Sequence, residues 1–145
     1  MVEVMTTDDG RRHVAIDRAG PNSYLATNAR GGTLSLSDGR DDSFTPVELL
    51  MAAIAGCTAI DVDLVTSRRA EPEAFQVAVD AVKDRDEHGN HLRDIVVTFK
   101  VAFPDGDDGD KARAVLPDIV RQSHERLCTV SRTIELGTPI ATTIE

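Results

Sequence analysis

The chain has 145 residues, with four Phe, one Tyr and no Trp, and a formal net charge of −9. That length fits a single domain, residues 1–145, whose core must be filled with Val, Ile, Leu and Ala. The acidic balance, without clustered Lys or Arg, argues against a nucleic-acid partner, and the opening MVEVMTTDDGRRHVAI lacks a signal-peptide pattern, so a cytoplasmic location is expected.

In chain order, residues 13–17 (HVAID), 23–29 (SYLATNA) and 33–37 (TLSLS) read as three short strands of an antiparallel meander, with turns at 19–22 and 30–32. A polar connector, 39–43, leads into a helix over 44–69. Thr45, Pro46 and Glu48 give that helix three start signals: a cap, a proline allowed in the first turn, and a capping-box glutamate. The next twelve positions, Leu49 to Ile60, carry no charge, so the helix is expected to be buried on most sides. Asp61 and Asp63 interrupt it before it reaches membrane length, and no membrane partner is expected. Arg68 and Arg69 suit the negative end of its dipole, and Pro72 marks the stop.

Residues 75–82 and 95–103 read as a long hairpin, with Gly89-Asn90 as the turn signal. After an acidic loop at 104–110, apolar spacing predicts a helix over 111–127, with Pro117 as a candidate kink. Residues 136–139 then turn, and 140–144 read as a last strand. The order βββ-α-ββ-α-β is that of an α+β domain. One small subunit cannot cover every face of the apolar helix, which predicts a homodimer with the two central helices packed between the sheets.

Only two cysteines exist, Cys57 in the apolar helix and Cys128 just past the second helix. A buried free cysteine is often no more than a small hydrophobe. Burial also raises a thiol's pKa, and Asp61, one turn on, disfavours a thiolate unless it points away or pairs with an arginine. The four histidines have no metal-ligand spacing with one another or with the cysteines. His124, four residues before Cys128, leaves a Cys-His acyl hydrolase as a formal alternative.

Three motifs together resemble the OsmC/Ohr family: Pro46-x-Glu48-Leu49-Leu50-x-Ala52-Ala53-x-Ala55-Gly56-Cys57, Leu127-Cys128-x-Val130-Ser131, and Gly137-Thr138-Pro139-Ile140. The resemblance implies an intertwined homodimer that reduces organic hydroperoxides with thiols and uses no metal or flavin. Cys57 would attack and become a sulfenic acid. Cys128 would resolve it as a disulfide, and an external dithiol, a lipoyl group in the best-known branch, would restore both thiols. The family draws its thiolate-stabilising arginine from the first strand-turn region, which points to Arg18 or else Arg30. The family's catalytic carboxylate follows the proline directly, where this chain has Val47. Glu48 lies one residue later, and nine residues at about 100° each place it on the helix face opposite Cys57. Thr129, not proline, follows Cys128, so the chain sits closer to a less studied OsmC-like branch. A non-enzymatic member of the same fold, binding a small hydrophobic ligand at the dimer seam, is the alternative.

Overall fold

Short alternating segments make the start of the chain a meander. The computed structural model describes residues 9–145, which divide into two compact units at Leu49 and Leu50. In the first unit, β1 (Val14–Gly20), β2 (Ser23–Asn28) and β3 (Thr33–Ser37) form an antiparallel sheet in the order β1-β2-β3. β1 runs to Gly20, three residues past its expected end. Gly20 pairs with Ser23, leaving Pro21 and Asn22 as a two-residue turn. Asn22 has φ 52, which Asn tolerates better than most residues. The register of β1 slips between Arg18 and Gly20. The β2–β3 loop is closed by Asn28, whose Oδ1 accepts from the Arg30 and Gly32 amides at 3.0 and 2.9 Å.

The central helix, α1, spans Pro46–Thr66. Its capping box forms as the sequence indicates: the Glu48 amide donates to Thr45 Oγ1 at 3.2 Å and the Thr45 amide to Glu48 Oε1 at 2.9 Å. At 21 residues α1 is long and apolar enough, by length and composition alone, to cross a membrane, so the expectation that it falls short is corrected. One chain by itself supplies only part of the burial expected for α1. Within one chain only the stripe Ile54, Thr58, Val62 and Thr66 is buried, while Ile60 and Leu64 are 70% and 58% exposed. Buried Thr66 satisfies its hydroxyl on the Val62 carbonyl at 3.0 Å. At the far end, Arg69 Nη1 donates to the Val65 carbonyl at 2.9 Å, as the helix dipole favours.

In the second unit, β4 (Ala74–Asp86) and β5 (Gly89–Ala102) form one long antiparallel hairpin. The turn falls at Glu87-His88, two residues before the Gly89-Asn90 signal. Asp86 Oδ1 captures the His88 and Gly89 amides at 2.8 and 3.1 Å, closing the chain early. The second helix, α2 (Asp107–Gln122), begins four residues before its expected start, with Asp107, Asp108 and Asp110 at its positive end. Pro117 lies inside it without ending it. Phe103, Ala70 and Ala112 form a buried cluster beside Val101 and Leu116.

α2 hands over at Ser123 to a π-turn, Ser123–Leu127, and a third helix, α3, follows at Thr129–Leu136. Neither was anticipated from the sequence. The expected last strand at 140–144 is not formed; those residues lie outside helix and strand. A strand needs an edge to pair with, and Gly137, in the left-handed region at φ 63, ends α3 just before this segment. The order is therefore βββ-α-ββ-α-α with a π-turn between the last two helices, and the class remains α+β.

Candidate active site

Cys57 occupies the middle of α1 and is partly exposed, whereas Cys128 is 0% exposed. Both thiols are free, and they interact with each other. Their chemical settings differ. Burial pushes the Cys57 thiol up, and the Cys128 sulfur and the Asp61 charge push it further, against a hydrogen bond from the Val130 amide. Burial also opposes ionisation of Cys128, but hydrogen bonds from Ser131, the Cys57 thiol and Val130 outweigh it and bring its pKa down. Cys128 is the N-cap of α3: its Sγ accepts from the Ser131 amide at 3.4 Å, the position a serine or aspartate oxygen would take. In this pair the surroundings oppose ionisation of Cys57 and favour that of Cys128.

A buried polar chain joins the element carrying one sulfur to the element carrying the other. Ser123 Oγ lies 2.8 Å from Thr58 Oγ1 and 2.8 Å from Asp61 Oδ2. The serine has one proton, which it gives to the carboxylate, so the Thr58 hydroxyl donates to Ser123. Asp61 thus pairs with a serine hydroxyl, where the sequence pointed to an arginine or to solvent. Ser123 was not singled out from sequence, and Ser131 only as a member of the second cysteine motif. The one available signal was Ser131 three residues after a cysteine, the spacing of a cap.

The other candidates are distributed as follows. Arg18 is exposed at the irregular end of β1, and Arg30 is exposed in the β2–β3 loop; both belong to the first unit. Glu48 is committed to the capping box, and its bond from the Thr45 amide holds its carboxyl below the usual value. α1 is continuous from Pro46 to Thr66, so no break relieves the half-turn offset along the helix between positions 48 and 57. His124, in the π-turn, pairs with Glu135 at 3.3 Å. It also borders a cleft of about 350 Å³, together with Thr58, Ile95, Val97, Val120 and Ser131.

The sequence profile of the family described as OsmC-like protein matches residues 39–143. An uncharacterized protein of Mycobacterium tuberculosis strain H37Rv is 29% identical over 127 residues, covering 86% of this chain and 90% of its own. Among solved structures, an OsmC-like protein of unknown function from Vibrio cholerae superposes with a TM-score of 0.69 at 12% identity, covering 86% of this chain and 94% of its own. An organic hydroperoxide resistance protein from Elizabethkingia anophelis does so with a TM-score of 0.59 at 14% identity, covering 85% and 87%. The profile spans the central helix, the hairpin and both cysteines, and the chain belongs to the OsmC-like protein family.

Proposed function

We propose that the protein is a thiol-dependent peroxidase acting on organic hydroperoxides, and that its two units work as one OsmC-like domain in a cytoplasmic homodimer. The Cys57 thiolate attacks the outer peroxide oxygen; the O–O bond breaks, the alkoxide leaves and takes a proton to become the alcohol, and Cys57 becomes a sulfenic acid. Cys128, as thiolate, attacks that sulfur, forming the Cys57–Cys128 disulfide and releasing hydroxide. An external dithiol reduces the disulfide and is itself oxidised, with no bound metal or flavin. Arg18, or Arg30 in its place, supplies the cation that Cys57 needs, because burial and Asp61 both work against its ionisation. Glu48 serves as a helix cap.

The observation that carries this reading is the meeting of the only two cysteines, far apart in sequence, as free and interacting thiols. A pair held this way can cycle between dithiol and disulfide. The test supplies cumene hydroperoxide and a dithiol to reduced protein. Wild type is expected to consume peroxide over many turnovers, Cys57→Ser none, and Cys128→Ser to stall after sulfenic acid formation. Equal consumption by wild type and Cys57→Ser removes the enzyme and leaves a ligand-binding member of the fold.

A further inference from the structure

Disulfide closure needs more than two thiols in the same neighbourhood. The sulfurs must come to bonding distance with their Cβ atoms about 4 Å apart, so the backbones carrying them must be held in register. Cys57 rides on a regular helix. Cys128 rides on the end of a π-turn, a local geometry that is rare and persists where something else holds it.

Ser123 is what holds it. Its amide caps α2 on the Ile119 and Val120 carbonyls. Its carbonyl accepts the Cys128 amide at 2.9 Å, closing the π-turn. Its hydroxyl, 0% exposed with the rest of the residue, bridges Thr58 and Asp61 on α1. Thr58 is the neighbour of Cys57 and Asp61 lies one turn beyond it. One residue therefore ties the backbone of Cys128 to the helix of Cys57, at two positions within the turn that follows the attacking sulfur.

We infer that Ser123 is a positioning residue for the second half-reaction, setting how fast Cys128 closes onto oxidised Cys57 and leaving the peroxide attack to other groups. The inference rests on the peroxidase reading for its physiological setting, but the clamp is a property of the two thiols whatever oxidises them. Asp61 belongs to the same device. Its carboxylate is the acceptor that holds the Ser123 hydroxyl on α1.

The test follows the two steps separately in the reduced full-length protein. With tert-butyl hydroperoxide, dimedone trapping reads the sulfenic acid, and loss of both thiols reads the disulfide. Ser123→Ala should form sulfenic acid at the wild-type rate but accumulate it, with closure slowed about tenfold to a hundredfold, the scale of a misplacement near one ångström. Ser123→Thr, which keeps the hydroxyl, should restore closure. If Ser123→Ala does not fold, Thr58→Val removes one arm of the bridge and should slow closure alone. Diamide, which links thiols without a sulfenic acid, separates the two claims: slow diamide closure in Ser123→Ala upholds the clamp even if wild type consumes no peroxide. Closure as fast as wild type in folded Ser123→Ala, with either oxidant, overturns it, as does failure of Ser123→Thr to restore the rate.

Discussion

Cys57 sits within continuous helix, where each N–H around it is committed to a carbonyl four residues back. Cys128 precedes a helix whose first N–H groups have no such partner. Burial opposes ionisation of both, but at Cys57 the Cys128 sulfur and Asp61 add to it, whereas at Cys128 the hydrogen bonds from Ser131, Cys57 and Val130 outweigh it. On raising pH the Cys128 thiolate should appear first. Followed by ultraviolet thiolate absorbance, Cys57→Ser, which reports Cys128, should titrate at lower pH than Cys128→Ser, which reports Cys57. The reverse order would mean that a cation outweighs the burial and repulsion at Cys57. The thiolate is the nucleophile, so peroxide attack in Cys128→Ser should rise with pH along the Cys57 titration.

At the scale of the element, α2 shows how a short loop fixes a helix start. Gly109 is buried in its first turn, and a Cβ placed there would lie 1.7 Å from the Pro104 carbonyl oxygen. That oxygen is backbone and cannot rotate away. Gly109→Ala should therefore destabilise by about 1–3 kcal/mol despite alanine's better helix propensity, read as a lower denaturant midpoint with an unchanged slope. A gain in stability would mean that the loop before α2 yields easily. The capping box of α1 makes the opposite case, in which the sequence names the partners. Thr45 and Glu48 stand three apart before an apolar run, and their two bonds form.

For the whole molecule, the open face of α1 carries Ile60 and Leu64, and the hairpin leaves Val96 54% exposed. Water contact over so much apolar surface is costly at roughly 25 cal/mol per Å². A second copy of the chain is the proposed cover. Sedimentation should give twice the mass of one chain, and Ile60→Asp with Leu64→Asp should shift it towards one. A single-chain mass for wild type at every concentration would remove the dimer.

The sequence by itself determined the meander, the capped central helix, the long hairpin, the α+β class and the two thiols that carry the family resemblance. Each rests on local signals: alternation, a cap three residues from its glutamate, or a cysteine in an apolar run. It misjudged residues 123–144 for a physical reason. The π-turn begins at Ser123, which bonds to Thr58 and Asp61 more than sixty positions back in the chain, and no local pattern encodes that. α3 starts on a sulfur cap, and the β-branched residues at 140–144 resemble a strand without an edge to join. The burial of α1 likewise had to come from packing, because a helix apolar all round does not say which side its own chain will cover. Tertiary structure alone decided that the two sulfurs meet, and that Cys128 is the better stabilised as a thiolate.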